Sequence, residues 1–201
     1  LWANQSGGIG DYSVAIVEGY DTQYNPQKHL EGYKAQRGEV AALAMSLGTP
    51  QTQFILDDMD ADNMIAAPMS WYSGWSYKES DRGLVVEFGA AYCADGMNAV
   101  DWALANLPVD IKTIGIMGFA GDYGGDYAAG VKAAAAANGL TVAWEYVVPS
   151  PEFDVSQAVG LMVTQPVDAY FPAIGPTQMA QVAGGAFQQG LTPIAMMAAP
   201  S

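Results

Sequence analysis

Apolar positions along the chain fall into short runs that alternate with longer amphipathic stretches. Residues 12–17 alternate and are rich in β-branched side chains, which predicts a strand. Asp21 to Asn25 reads as a turn. Pro26 then opens a predicted helix over 26–37, in the first-turn position where a missing N–H costs nothing. Buried strands are predicted at 40–45 and at 64–67, the second stopped by Pro68, with a helix over 49–59 between them. A further strand is read at 84–88 and a helix over 92–106, closed by Pro108. The second half is more regular: strand 111–117, helix 123–137 with an Asn138-Gly139 stop, strand 140–148, then a helix capped by Asp154. That helix fades near Thr164. Strand 167–171, a helix from Pro176 to Gly190 and a last strand at 193–197 complete the pattern.

Strands alternating with helices across short loops predict an α/β fold of parallel sheets with helices on both faces. Two such lobes are expected, residues 1–108 and 109–201, meeting near Pro108-Val109-Asp110. Right-handed crossovers place ligand sites at the carboxyl ends of the strands. Those ends are Ser46–Thr49, Pro68–Tyr72, Gly118–Gly125, Phe171–Gly175 and the stretch after Met197, and glycine, hydroxyl and aromatic residues gather there. The richest is Gly118-Phe-Ala-Gly-Asp-Tyr-Gly-Gly125, a turn between a strand and a helix start whose unpaired N–H groups suit a carboxylate or phosphate.

Composition narrows the functional classes. The net charge is −14, and acids outnumber bases in both halves, so nucleic acid and anionic membrane surfaces are poor partners. No apolar run approaches about 18 residues, so direct membrane insertion is not expected. The first residues lack a basic stretch followed by an apolar one, so the chain is either cytosolic or has had a signal removed. With one cysteine, Cys93, and one histidine, His29, no internal disulfide can form, and no metal site of ordinary zinc ligands is expected.

Other motifs fail on spacing. Gly118, Gly121, Gly124 and Gly125 do not make G-x-G-x-x-G, and Glu145 lies in mid-strand, so neither a dinucleotide nor another cofactor is expected. Asp58, Asp60 and Asp62 start like a calcium loop, but its sixth and twelfth positions hold Asn63 and Met69. Ser70 and Ser73 lack a nucleophile elbow, and His29 reads as an exposed helix residue far from both, so no catalytic residue is assigned. Trp71, Tyr72, Trp75 and Tyr77 form an aromatic loop that either packs on its own lobe or walls a ligand site. In the second case Trp71 and Tyr72 lie nearest the strand end.

Taken together, Tyr123-Gly-Gly-Asp-Tyr-Ala-Ala-Gly-Val-Lys-Ala-Ala134, Glu145-Tyr-Val-Val-Pro149 and Phe153-Asp-Val-Ser156 resemble the type I periplasmic binding proteins. The likeness is nearest to the branched-chain amino-acid group of ABC-transporter substrate-binding proteins. Gly7-Gly-Ile-Gly10, Tyr20-Asp-Thr-Gln-Tyr-Asn-Pro26 and Leu47-Gly-Thr49 agree with it. The resemblance implies two lobes closing on a small amino acid, amide or carboxylate, an extracytoplasmic location, a membrane ABC permease as partner, and no chemistry. A ligand-sensing receptor or regulator domain of the same fold is the alternative it implies. It assigns Thr49 to the ligand carboxylate, Met69, Ser70 and Trp71 to the carboxylate and amine, and Tyr123 to covering the ligand. Ile174 and Gly175 fall near a second-lobe contact, and Tyr72 joins the set from the aromatic loop. Trp71 replaces a usually small residue, and the family's ammonium-binding acid falls near Ala199, where there is none. Against the family pattern the chain lacks a first strand and helix and an ending, so the fold is expected to be incomplete at both ends.

Overall fold

The computed structural model describes residues 2–192 and 194–199. In chain order the elements are α1 (Trp2–Gln5), α2 (Pro26–Gln36), β1 (Leu43–Leu47), α3 (Thr49–Phe54), α4 (Leu56–Asp62), β2 (Ala66–Met69), α5 (Lys78–Asp81) and α6 (Tyr92–Asn106). Then come β3 (Thr113–Phe119), α7 (Gly124–Ala137), β4 (Thr141–Val148), α8 (Val155–Thr164), β5 (Ala169–Ala173) and α9 (Pro176–Gln188). Two sheets form, β1-β2 and β4-β3-β5, and every pairing between named strands is parallel.

The second sheet shows why its sequence is legible. β3 is central, and alternation sends Ile114 and Ile116 to one face and Met117 to the other. The first face packs on α6 and α7 through Tyr127, Val131 and Val100, and the second on α8 and α9 through Ala158, Met162 and Val182. In β4 a register shift between its pairings with Ile114 and Gly115 breaks the alternation, so Val142 joins the first core while Trp144 and Tyr146 join the second. The α8 start is capped as expected, with Asp154 Oδ1 accepting from the Ser156 and Gln157 N–H groups at 2.7 and 3.4 Å.

Asp168, just before β5, pins that strand to β3. Its Oδ2 accepts from the Lys112 N–H at 3.0 Å and from the Thr113 N–H and hydroxyl at 2.8 Å each. These donors, the Lys112 amide first, hold its carboxyl below the ordinary aspartate range. A depressed carboxylate contributes stability above its unfolded pKa and loses it as pH falls through the folded value. Asp168→Asn should therefore cost about 1 kcal/mol at pH 7, given the exposed site, with the difference shrinking as pH falls below the ordinary aspartate range. Urea titrations of both proteins from pH 7 down through the acid range below the ordinary aspartate pKa measure this; a pH-independent difference would remove the charge from the explanation.

The first lobe departs further from expectation. Its core gathers Tyr33, Ile55, Leu56, Met59, Met64, Ala66 and Trp75. The predicted 49–59 helix is broken at Ile55, whose backbone (φ −103°, ψ 0°) turns its wholly buried side chain into that core. Pro68 lies inside β2 instead of ending it. Ala66 donates its N–H to Leu84 O and accepts from the Val86 N–H, and that short ladder ends before Pro68, so the missing proline donor is not needed. Residues 84–88 accordingly make a single bridge, Ala66 to Val85, and not a strand. The predicted strands at 40–45 and 64–67 begin and end two to three residues later, as β1 and β2.

Residues 12–17 are not a strand. Tyr12 bridges only Ile9, no partner edge lies beside the rest, and Tyr12 and Ile16 are exposed. Alternation specifies a face, but a strand also needs a neighbour. At the other end, Pro193 of the predicted last strand lies outside the described residues. Residues 194–199 run along β5 with one bridge, Tyr170 to Met196, and with Met197 and Ala199 donating to Tyr170 O and Pro172 O. The helix α6 matches its predicted span but packs on α7 within the second core.

Candidate functional site

The carboxyl ends of β1 and β2 lie side by side because the strands are parallel neighbours, with Leu47 paired to Met69. The next residues, Thr49 at the start of α3 and Ser70 after β2, meet through their hydroxyls at 2.5 Å. Both are buried, and Ser70 Oγ also accepts from Trp75 Nε1 at 2.9 Å. Whichever hydroxyl donates to the other, one O–H of the pair remains to offer. The strand ends thus present a fixed donor to an acceptor atom.

Trp71 leads from this pair to the second lobe. Its carbonyl accepts the Tyr92 N–H at 2.7 Å, and its ring meets Phe88 and Tyr92 edge to face at 5.3 and 6.0 Å. Tyr92 in turn meets Tyr123 at 4.9 Å, also edge to face. A second tie runs from the Ser73 N–H to Asp126 Oδ2 in the first turn of α7, at 2.9 Å. Thr49, Ser70, Trp71 and Tyr123 therefore belong to one neighbourhood, at the crevice where the lobes face each other.

Not every expected residue joins them. Met69 is half-buried at the end of β2. Tyr72 turns inward, meeting Trp75 at 5.8 Å and packing on the first-lobe core, so the aromatic loop divides its roles. Ile174 is buried in the core beneath α8 and α9, so its side chain serves packing and only its backbone stands near the strand end. Gly175 caps the start of α9, with Phe119 and Gln178 beside it. Two open surface depressions, of about 380 and 350 Å³, lie elsewhere, one along Asn4–Ser13 and one between α8 and α9.

Residues missed in the sequence complete the neighbourhood. Tyr92, in the first turn of α6, has its hydroxyl pKa pushed up to about 12 by burial; the Trp71 backbone opposes this, while Tyr24, Asp122 and Asp126 add to it. The Tyr24 hydroxyl is raised by burial and by Asp122, and one edge of its ring lies against the Gly48 turn although 59% of the residue is exposed. Glu87 is raised by burial first, with Asp81 and Asp126 adding. No salt bridge among the described residues reaches Asp122, Asp126 or Glu87. Asp122 adjoins Tyr123 in the glycine-rich turn, and that adjacency is the one signal the sequence offers.

His29 is half-buried, not an exposed helix residue. Its Nε2 meets Ser46 Oγ at 2.9 Å, Ser46 meets Thr52 Oγ1 at 2.9 Å, and Thr52 donates to Gly48 O at 3.0 Å. Burial lowers the His29 pKa, and no described residue bonds its Nδ1, so the histidine lacks the acid that orients a catalytic imidazole. This chain of hydroxyls braces the Gly48-Thr49 turn from behind. The acidic stretch after Leu56 is paired with basic side chains, Asp58 with Lys34 at 3.5 Å and Asp62 with Arg37 at 2.9 Å. Among the described residues no group of three His, Cys, Asp or Glu is placed to hold a metal, and no helix is long and apolar enough to cross a membrane.

The periplasmic binding protein family matches residues 2–201. No curated protein sequence matches. Among solved structures, a fatty acid ABC transporter substrate-binding protein from Thermomonospora curvata is 29% identical, with a TM-score of 0.80 over 97% of this chain and 49% of its own. A Rhodopseudomonas palustris ABC-transporter solute-binding protein in complex with 4-hydroxybenzoate shares the fold at 16% identity, with a TM-score of 0.82 over 98% of this chain and 54% of its own. A Thermus thermophilus branched-chain amino acid ABC transporter protein with bound valine does so at 13% identity, with a TM-score of 0.76 over 98% of this chain and 50% of its own. The chain thus spans about half the length of these proteins. It belongs to the periplasmic binding protein family, with the α/β architecture of the type I members that serve ABC transporters.

Proposed function

We propose that this chain is part of an extracytoplasmic solute-binding protein that holds a small amino-acid-like ligand between two lobes and delivers it, unaltered, to an ABC importer. One observation carries the reading. The buried Thr49–Ser70 hydroxyl pair of the first lobe stands beside the aromatic run Trp71, Tyr92, Tyr123 that leads into the second. A polar anchor next to apolar faces suits a solute with one hydrogen-bonding end and an apolar body. In this reading Thr49, Met69, Ser70 and Trp71 hold the polar end, Tyr123 covers the ligand, and Gly175 lies at the rim.

Magnitudes explain why two lobes are needed. Micromolar binding requires about −8 kcal/mol, or close to −0.9 kcal/mol for each heavy atom of a leucine-sized solute, against a ceiling of about −1.5 for the best small ligands. Nearly every ligand atom must then be buried and paired, which one open lobe cannot do.

The relative named for fatty acid transport supports a second reading, in which a longer apolar carboxylate is the ligand. Thermal-shift screening of the protein against amino acids, their amides, small carboxylates, 4-hydroxybenzoate and a medium-chain fatty acid separates the two. A ligand at a hundred times its Kd should raise Tm by roughly 5–11 °C. The proposal expects that shift from an amino acid or amide, whereas a shift from the fatty acid alone would transfer the conclusion to the second reading. Consumption of any hit by the purified protein would overturn the binding-only role.

A further inference from the structure

His29 is the one histidine of the sequence, and the crevice as described so far makes no use of it. Three short contacts lead from its ring into the turn between β1 and α3. His29 Nε2 meets Ser46 Oγ at 2.9 Å, Ser46 Oγ meets Thr52 Oγ1 at 2.9 Å, and Thr52 Oγ1 lies 3.0 Å from Gly48 O. Ser46 and Thr52 are buried, so these contacts are shielded from water. Counting protons gives the chain one direction. The Gly48 carbonyl has no hydrogen, so Thr52 donates to it and thereby uses its only O–H. Ser46 must then donate to Thr52, and His29 Nε2 must donate to Ser46. No other assignment supplies all three contacts with a proton.

The neutral imidazole is thereby fixed as the tautomer with its hydrogen on Nε2. The opposite tautomer would set two acceptors, Nε2 and Ser46 Oγ, against each other at 2.9 Å. The imidazolium would add an N–H at Nδ1, which is buried and bonded by no described residue. At its far end the chain holds a carbonyl that could otherwise turn. Gly48 has φ +97°, and without a Cβ its peptide can rotate at little steric cost. Its carbonyl accepts the Thr52 N–H at 3.1 Å as well as the Thr52 hydroxyl, and so points into α3. A rotated Gly48 carbonyl would bring an acceptor next to Thr49. It would then compete for the O–H that the Thr49–Ser70 pair has to give.

We propose that His29 is a positioning residue of the crevice: as the neutral Nε2–H tautomer it heads a one-way chain of donations that keeps the Gly48 carbonyl turned into α3 and the Thr49–Ser70 hydroxyls free for the solute. This rests on the reading of that pair as the polar anchor of a solute site. His29 acts only through Ser46, Thr52 and Gly48, and it touches no solute.

The test is NMR of the uniformly nitrogen-15-labelled full chain near neutral pH, where a single histidine gives a single imidazole pattern. Long-range correlations to the ring C–H protons should show a protonated Nε2 and a bare Nδ1. In Thr52→Val the Ser46 hydroxyl loses its acceptor and is free to donate to the ring, so the Nδ1–H form should appear. Hydrogen exchange of the Thr52 N–H reports on the Gly48 carbonyl it is bonded to. His29→Leu should speed that exchange at least roughly fivefold, and His29→Gln, whose side-chain amide can donate in place of Nε2, less than about twofold. The Ala66 N–H, bonded to Leu84 O elsewhere in the lobe, should keep its rate in both variants. A parent chain with its hydrogen on Nδ1, an unchanged tautomer in Thr52→Val, or a Gln variant that exchanges as fast as the Leu variant overturns the inference. Equal acceleration at Ala66 does so too, since it would mean a plain loss of stability. If His29→Leu does not fold, the tautomers of the parent and of Thr52→Val decide alone. None of these measurements involves a ligand, so the solute-binding reading stands or falls separately, on the thermal-shift screen.

Discussion

Gly130→Ala is expected to lower the melting temperature by roughly 4–12 °C, corresponding to about 2–3 kcal/mol. A Cβ on Gly130 would stand 1.9 Å from the Cys93 carbonyl oxygen, and one on Gly96 would stand 2.4 Å from the Tyr127 carbonyl oxygen. The two glycines face each other's helices, so α6 and α7 touch backbone to backbone. No rotamer relieves such a clash. The helices must part, which opens the contact among Val100, Ala103 and Val131, all wholly buried. Alanine is the better helix former by about 1 kcal/mol, so intrinsic propensity argues for the opposite sign and packing must win outright. Gly184 in α9 supplies the control, being exposed with nothing within 4 Å of its Cβ position. Gly184→Ala should stabilise by roughly 0.5–1 kcal/mol. Thermal denaturation of the two variants beside the parent decides the matter, and a Gly130→Ala protein as stable as the parent would refute the close approach.

Tyr123→Ala and Trp71→Ala should each weaken binding of the solute found by screening by at least roughly 30-fold, the effect of losing about 2 kcal/mol from a central aromatic contact. Tyr72→Ala provides the contrast. Its ring packs on Trp75 and the first-lobe core, so it should lower Tm while leaving the Kd of the folded protein within about threefold. The comparison separates the two roles within one aromatic loop. Titrations well below each variant's melting temperature keep stability out of the affinity. Equal losses from Trp71 and Tyr72 would mean that the loop acts as one packed unit, and the crevice would then have to be sought elsewhere.

How much is legible depends on whether a residue's partner is local. Tyr92–Asn106 has its predicted bounds because its apolar stripe and Pro108 are features of the segment itself. Asp154 is recognisable as a cap because a cap reaches only the next few N–H groups. The strand expected at 12–17 fails because pairing needs an edge that the segment does not contain, and the Pro68 stop fails because a proline matters only where its N–H would have been used. Thr49 and Ser70 can be placed together from strand order alone. Tyr24 and Tyr92 cannot, because they reach the strand ends through the docking of α6 and of the turn before α2, which no periodicity encodes. Ile174 is within reach. Alternation along β5 puts Tyr170 and Ile174 on one face and Phe171 and Ala173 on the other, and the α8 and α9 side claims the first pair.

The position of Trp71 has a practical consequence. Its indole borders the joint between the lobes, held by Phe88 on one side and Tyr92 on the other. Any swing of one lobe against the other changes the polarity around that ring. Under the proposed solute-binding role the protein carries its own optical gauge of closure, and a shift in tryptophan emission, assigned through a Trp71→Phe comparison, would follow capture of a solute in real time without an attached dye.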